Sequence, residues 1–318
     1  MGKWKNFIHT ALHLGEPSGQ EEDKVIGKMS PQSLDGKTEV LLEHENMGPE
    51  ASIGRDTEVP SEKNEGVISG VRHFQVGIAQ IIGTREHQED SYCVSNWKDA
   101  EVIGRQGLLA AVADGIGGLS DGEVASNTLM HSIRQGFGKL PLSMSAPDKL
   151  LSLVAAGQAD VLELNHRGYH CGTTLVCTLI QDGCLYLISA GDSRISLYRR
   201  GALLQLNREH VLGKDKDEER AFLNQEDTIS PMRRRALTSY IGKEDFHEVD
   251  RTLTPMRLMP GDKILLMSDG VFGSLGEDQM LSLLDREPQQ AADAIISAID
   301  ELASARQDNA TIVIISYE

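Results

Sequence analysis

Apolar residues fall into short continuous runs in some parts of the chain and into helical spacing in others. Short runs bounded by glycine, proline or charged residues are typical of buried strands, whereas apolar positions three and four residues apart predict helices. Strands are predicted at residues 74–82, 108–113, 263–268 and 310–315. Helices are predicted at residues 123–137, 147–166, 277–284 and 288–305. Pro147 supports the second helix, because proline is tolerated in a first helical turn.

The block between the two pairs of helices is rich in strands. Two apolar runs, 173–180 and 184–190, are joined through Asp182-Gly183, and Asp-Gly between strands is a strong hairpin signal. A further strand at 195–198 turns at Arg200-Gly201. Helices and hairpins thus occupy separate parts of the chain, which predicts an α+β fold with largely antiparallel sheets.

Residues 1–71 differ in composition from the rest of the chain. Positions 15–69 contain no Phe, Trp or Tyr and are rich in Glu, Gly, Ser, Pro and Lys. Such a segment buries too little apolar area to offset its ordering entropy, so we expect a disordered acidic arm before a domain at 72–318. Helical spacing predicts a short amphipathic helix at 3–14. It would either dock on a partner through Trp4, Phe7 and Ile8 or form only transiently.

Charge and composition exclude several classes of protein. A net charge of −17 argues against a nucleic-acid binder, which needs a basic face. No uncharged apolar run approaches 20 residues, so no membrane span is expected, and the first residues lack the apolar core of a signal peptide. The four cysteines form no CxxC pair, which favours buried thiols and a cytoplasmic location.

Acidic residues recur where predicted strands begin or end. Asp114 follows the run 108–113 and precedes Gly115, and Asp269 follows another run. Glu89-Asp90 and Asp308 lie next to strands in the same way. Each alone is equally well explained as a carboxylate that caps a turn. Together they predict several strands that bring oxygen ligands to one edge, where a hard cation such as Mg²⁺ or Mn²⁺ would bind.

Two further segments bear on chemistry. Arg85 lies four residues before Glu89, so its guanidinium would either grip a phosphate bidentately or form a salt bridge with the nearby acids. Residues 207–240 are highly charged at their centre and poor in apolar side chains. Loops of this length tend to be functional or disordered, and we expect a surface insertion.

Six motifs in order carry a family resemblance. They are Gly83-x-Arg85-x-x-Gln88-Glu89-Asp90-Ser91, Val112-Ala113-Asp114-Gly115-Ile116-Gly117-Gly118, Cys171-Gly172-Thr173-Thr174, Ala190-Gly191-Asp192-Ser193-Arg194, Ser268-Asp269-Gly270-Val271 and Asp308-Asn309-Ala310-Thr311. The chain from about residue 73 to 317 resembles the metal-dependent serine/threonine protein phosphatases of type 2C, in their bacterial form. The resemblance implies a four-layer α-β-β-α sandwich, with two antiparallel sheets flanked by helix pairs.

The resemblance also implies a site with two Mn²⁺ or Mg²⁺ ions and direct attack on phosphorus by a water that bridges them. Asp114 would bridge both ions and Gly115 would offer its carbonyl to one. Asp269 and Asp308 would bind the other ion, and Asp192 would serve a third. Glu89 and Asp90 would hold metal waters and Arg85 would bind the phosphate. The remaining implied features are phosphoprotein substrates made by a Ser/Thr kinase and a flap at about 207–240 that influences substrate choice.

One departure from the family pattern concerns proton donation. Ile116 stands where many animal members carry a histidine proposed as general acid, and isoleucine cannot donate a proton. His87 and His210 are the nearest candidates along the chain, although both are expected to be surface histidines. A rival interpretation is a low-turnover module of the same fold that binds phosphoproteins as a sensor or scaffold.

Overall fold

The computed structural model describes residues 74–95, 98–116, 121–212 and 236–318. The predicted arm at 1–71, its helix at 3–14 and the centre of the insertion at 207–240 lie outside the described residues. The strands are β1 Phe74–Ile81, β2 Asp90–Val94, β3 Leu108–Asp114, β4 Leu175–Gln181, β5 Cys184–Ala190, β6 Arg194–Arg199, β7 Ala202–Gln205, β8 Asp250–Arg251, β9 Met256–Arg257, β10 Lys263–Met267 and β11 Ala310–Tyr317. The helices are α1 Ala100–Gln106, α2 Gly122–Phe137, α3 Ala146–His166, α4 Asp269–Phe272, α5 Glu277–Leu284 and α6 Pro288–Glu301.

The strands form two antiparallel sheets. The first sheet has the order β1-β11-β10-β6-β7, and the second has the order β2-β3-β4-β5-β8, with β9 also paired to β5. The predicted hairpin joins β4 to β5, and both of its turn residues, Asp182 and Gly183, have positive φ. Such a pair of φ values defines the turn that matches the twist of adjacent strands, which explains why Asp-Gly occupies it.

Three apolar clusters define four layers. The central cluster joins the two sheets through residues such as Val112 and Val313, both fully buried. A second cluster packs α2 and α3 on the outer face of the second sheet, and a third packs α5 and α6 on the outer face of the first. The α-β-β-α sandwich predicted from the resemblance is therefore confirmed. No helix among the described residues is long and apolar enough to cross a bilayer.

Side-chain caps mark the starts of two helices, α1 and α3. The Ser145 hydroxyl accepts a hydrogen bond from the backbone N–H of Asp148 at 3.3 Å, which caps α3. The helix predicted at 288–305 ends earlier, at Glu301, and Ala303 beyond it has a φ of 45°. Helix α1 was not predicted; it is capped by Asp99, and none of its residues is buried. It therefore lacks the apolar periodicity by which a helix is recognised in a sequence.

Candidate metal centre

Strand pairing brings the predicted acidic residues to one end of the sandwich. In the second sheet, Asp90 begins β2 and stands opposite Asp114, the last residue of β3. In the first sheet, β10 ends just before Asp269 and the antiparallel β11 starts just after Asp308. Antiparallel neighbours place the end of one strand beside the beginning of the next. The acids therefore come from both sheets, although they are far apart in sequence.

These residues line one cleft. Its volume is about 430 Å³, and its wall contains Arg85, Glu89, Asp114, Gly115, Ile116, Thr174, Asp192, Ala236, Leu237, Tyr240, Asp269 and Asp308. All the predicted site residues except Asp90 lie on this wall. The far end of the insertion also borders the cleft, through Ala236 and Leu237. Its size lies within the range of pockets that hold small ligands.

Asp90 lies beneath the cleft and connects the two sheets. Its carboxyl group is 3% exposed, and its Oδ2 accepts hydrogen bonds of 2.7 Å from Ser268 Oγ and Thr311 Oγ1. Its Oδ1 is buried and has no partner among the described residues. Burial, together with the negative charge of nearby Asp269, raises the pKa of Asp90 to about 7, although the two hydroxyl donors oppose the increase.

Asp114 and Asp269 repel each other and their neighbours. Burial raises the pKa of Asp114 well above its ordinary value, and the negative charges of Asp90, Asp269 and Asp192 add to the effect. Burial and the charge of Asp308 likewise raise the pKa of Asp269, although a hydrogen bond with Asp114 opposes the increase. Carboxylates packed this closely cannot all ionise without a compensating positive charge.

Gly115 allows the backbone to pass close to the first turn of α2. A Cβ on Gly115 would lie 2.4 Å from the carbonyl oxygen of Gly122 and 2.9 Å from that of Glu89. The Gly115 N–H donates to the Glu89 carbonyl at 3.1 Å, which links the first two motifs. Any larger residue would displace this backbone, so the requirement for glycine at position 115 is steric.

Arg85 supplies positive charge at the mouth of the cleft. Its Nη2 contacts Asp308 Oδ2 at 2.5 Å, and the two side chains are 44% and 38% exposed. Burial by itself would lower the pKa of Arg85, but the charges of Asp308 and Glu89 raise it. Burial raises the pKa of Glu89, and Arg85 partly offsets that increase. Of the two alternatives for Arg85, the structure contains the salt bridge, with Asp308. The same guanidinium lines the cleft, where a phosphate would also contact it.

The two candidate histidines differ from each other. His87 is exposed, as predicted, and its charge acts on Glu89. The prediction that His210 is a surface residue is wrong, because it is 2% exposed and its Nδ1 accepts a hydrogen bond from the Gly191 N–H. His210 is held inside by the paired ends of the insertion, which the sequence pattern did not reveal. Ile116 lines the cleft, as the motif order implied.

The donor set suits a hard divalent cation. Within the described ranges no three Asp, Glu, His or Cys side chains form a complete ligand set. Mg²⁺ usually keeps several waters and takes only one or two carboxylates from the protein, so a sparse set is compatible with it. The unpartnered Oδ1 of Asp90 and the raised pKa values of Asp114 and Asp269 show that positive charge would be favourable here. The site residues therefore fit the implied metals.

Several polar residues of the six motifs support the acids, and the sequence did not predict these roles. Thr174 Oγ1 accepts from the Asp114 N–H at 2.9 Å, and Asn309 Oδ1 accepts from the Glu89 N–H at 2.7 Å. Ser268 and Thr311 bind Asp90, as described above. Each is a polar residue within one of the six motifs. That position is the only signal in the sequence, and it does not identify the partner.

Comparison with known proteins gives a consistent family match. Residues 82–305 match the family model described as protein phosphatase 2C. The serine/threonine protein phosphatase PstP of Mycobacterium tuberculosis is 30% identical over 212 residues, which cover 65% of this chain and 40% of PstP. This chain thus spans well under half the length of that relative. The serine/threonine phosphatase stp of Listeria monocytogenes is 26% identical over 249 residues, 74% of this chain and 92% of stp.

Solved structures share the fold. The PPM Ser-Thr phosphatase MsPP of Mycobacterium smegmatis, solved with cacodylate, is 25% identical with a TM-score of 0.59. The alignment covers 76% of this chain and 97% of MsPP. The catalytic domain of PstP, solved in complex with 2 manganese ions, has 24% identity and a TM-score of 0.59 over 77% of this chain and 99% of that domain. At that identity the second likeness concerns the fold alone.

Proposed function

The chain belongs to the protein phosphatase 2C family, and from that premise we propose that it hydrolyses phosphoserine and phosphothreonine esters in proteins. The substrates would be products of a Ser/Thr protein kinase. The relatives PstP and stp are both named serine/threonine phosphatases, which supports this substrate class. The observation that carries the proposal is the convergence of Asp114, Asp269 and Asp308 from two sheets on one cleft.

We propose that the cleft holds two divalent cations, Mn²⁺ or Mg²⁺. Asp114 with the Gly115 carbonyl would hold one, and Asp269 and Asp308 would complete the other. When bound, such a pair would supply a water of lowered pKa and would stabilise in-line displacement at phosphorus. The relative whose catalytic domain was solved with 2 manganese ions supports this cofactor. Asp192 would serve a third ion.

The chain's own residues would orient the substrate and the acids. Arg85 stands at the mouth of the cleft with one guanidinium nitrogen on Asp308, and a guanidinium carries five N–H donors for a phosphate. Asn309 holds the Glu89 backbone, so the Glu89 carboxylate stays on the wall. Asp90 would act from beneath, fixed by Ser268 and Thr311.

Protonation of the leaving alkoxide would not come from a residue at position 116. Ile116 lines the cleft but has no proton to donate. His210 is buried and absent from the described cleft wall, which makes it a poor donor. His87 is exposed near Glu89 and is the remaining histidine candidate; otherwise solvent would supply the proton.

The test is hydrolysis of a phosphothreonine peptide by the full chain with added Mn²⁺. We expect activity that chelation removes and that Asp114→Asn lowers by at least a hundredfold, because the central ligand is lost. Asp160→Asn is the matched control, since it removes the same charge from an exposed position on α3. Activity that survives both chelation and Asp114→Asn would contradict the mechanism.

A second candidate function is phosphoprotein binding with little turnover. It is favoured by the apolar residue at 116, which lines the cleft and has no proton to donate. It predicts phosphopeptide binding of normal affinity without Mn²⁺-stimulated hydrolysis. Measuring peptide binding and turnover on the same preparation separates the two functions.

A further inference from the structure

His210 connects three parts of the chain at the start of the insertion. Its backbone N–H donates to the Gly191 carbonyl at 2.8 Å, and the Gly191 N–H donates back to His210 Nδ1 at 3.1 Å. The Thr238 N–H donates to the His210 carbonyl at 2.9 Å. One residue therefore fastens both described ends of the insertion to the turn that follows β5.

The protonation state of the ring follows from these contacts. A ring nitrogen that accepts from an N–H carries no proton, so the neutral ring has its proton on Nε2. Burial lowers the pKa of His210, although the charges of Glu248 and Asp250 oppose the decrease, and Arg208 favours it. Nε2 is buried and lacks a partner among the described residues. A phenylalanine at position 210 would bury no unpartnered N–H. What histidine offers here, and phenylalanine does not, is the acceptor Nδ1.

The turn held by His210 carries Asp192. Gly191 has a φ of 101°, and a Cβ there would lie 2.7 Å from Thr174 Cβ, so the turn requires glycine at this position. Ser193, on the other side of Asp192, is held as well, because Asn207 Nδ2 donates to the Ser193 carbonyl at 3.0 Å. Asp192 is thus flanked on both sides by residues that the start of the insertion binds.

A second contact joins the same segment to the first sheet. Arg194 Nε donates to Glu209 Oε1 at 2.6 Å, and the Arg194 guanidinium lies 3.7 Å from the centre of the Phe272 ring. Phe272 belongs to α4, which begins at Asp269. Glu209 of the insertion therefore contacts Arg194, and Arg194 in turn contacts the helix that begins at Asp269.

We propose that His210 is a positioning residue for Asp192, holding the Gly191-Asp192 turn through Nδ1 so that the Asp192 carboxylate faces the cation site. This rests on the proposed function, since it assigns Asp192 a role in cation binding. Asp192 already lines the cleft with Asp114. Without the Nδ1 acceptor the Gly191 N–H would lose its partner, and the turn would no longer be fixed in one orientation.

Two substitutions separate the acceptor from the bulk of the ring. His210→Phe keeps a ring and removes the acceptor, whereas His210→Asn places an amide oxygen at a similar reach. Mn²⁺ binding is measured by titration calorimetry on the metal-free full chain, and the Mn²⁺ concentration for half-maximal phosphopeptide hydrolysis is measured alongside. We expect the weakest Mn²⁺ binding step to lose about tenfold in affinity in His210→Phe and to recover largely in His210→Asn.

The Asp192→Asn background tests whether His210 acts through Asp192. If it does, His210→Phe has no further effect on Mn²⁺ binding once Asp192 is replaced, since both changes remove one interaction. Wild-type Mn²⁺ affinity in either His210→Phe or Asp192→Asn would overturn the proposal. So would an equal loss from His210→Phe in both backgrounds. Leu284→Ala, a core change in the opposite helix layer, controls for a general loss of stability.

One measurement needs no variant. Nitrogen chemical shifts of labelled histidine in the wild-type protein report which ring nitrogen carries the proton. We expect His210 to carry it on Nε2, and a proton on Nδ1 would overturn the proposal even if His210→Phe does not fold. If the wild-type protein binds Mn²⁺ but hydrolyses no phosphopeptide, the proposed function fails while calorimetry still decides the role of His210.

Discussion

Replacing Asp90 by asparagine should change how the stability of the metal-free protein depends on pH. The pKa of Asp90 is about 7 in the folded protein, against roughly 3.9 for an unfolded aspartate. Folding therefore favours the protonated acid. The contribution of protonated Asp90 to the free energy of unfolding is complete below about pH 4, declines as pH rises, and is lost above about pH 7. Asparagine keeps a carbonyl oxygen for Ser268 and Thr311 but has no charge to bury.

The size of the effect follows from the shift. About three pKa units at roughly 1.4 kcal/mol each give about 4 kcal/mol between acidic and mildly alkaline pH. For a domain of this size 1 kcal/mol changes Tm by about 2–4 °C, so the change in Tm is roughly 10 °C. This is an upper bound for Asp90 alone, because part of its pKa shift comes from the charges of Asp269 and Asp308.

The assay is thermal unfolding in a chelator from pH 5 to 8.5. We expect the Tm of the wild-type protein to fall with pH, and the fall to be smaller in Asp90→Asn, which should also be the more stable protein at pH 8. Added Mn²⁺ should reverse the wild-type slope, since ionised carboxylates bind the ion. Asp160→Asn controls for net charge. A wild-type Tm that stays constant or rises with pH in chelator would refute the reasoning.

Three further substitutions have matched controls or clear directions. Thr174→Val removes the acceptor of the Asp114 backbone N–H and should lower the unfolding free energy, measured by chemical denaturation, by about 1–3 kcal/mol. The matched control is Thr178→Val, which should be neutral or stabilising, because the Thr178 hydroxyl is buried without a partner in the described structure. Gly270→Ala would bring a Cβ to 2.0 Å from a backbone oxygen and should lower Tm and activity together, whereas Gly138→Ala meets open space and should not. Arg85→Ala should reduce kcat/KM for a phosphopeptide about 10- to 100-fold with little change in Tm, because its ion pair is exposed.

Local pattern was sufficient for most individual elements. The continuous apolar runs at 108–113 and 310–315 predicted buried strands, and both are almost wholly inaccessible to solvent. The Asp182-Gly183 hairpin followed from the backbone angles that only a few residues adopt easily. Helix α1 and the two-residue strands β8 and β9 escaped detection, because elements that short or that exposed leave no periodic signal.

The identity of the acids was also visible along the chain, but their environment was not. Asp90 and Asp308 belong to similar motifs, yet Asp90 is buried beneath the cleft and Asp308 is partly exposed at its mouth. The difference arises because Ser268 and Thr311, far away in sequence, enclose Asp90 from the other sheet. His210 is a similar case, since its charged neighbours along the chain suggested the surface.

Sequence periodicity reports what a residue does within its own strand or helix, and that information is local. It was enough to identify the longer strands, the Asp182-Gly183 turn and the carboxylates at strand ends. The order β1-β11-β10-β6-β7, which sets Asp308 beside Arg85, depends on contacts between segments more than 200 residues apart. Burial, the pKa values and the hydrogen-bond partners of the acids all depend on such contacts, so the folded arrangement had to supply them.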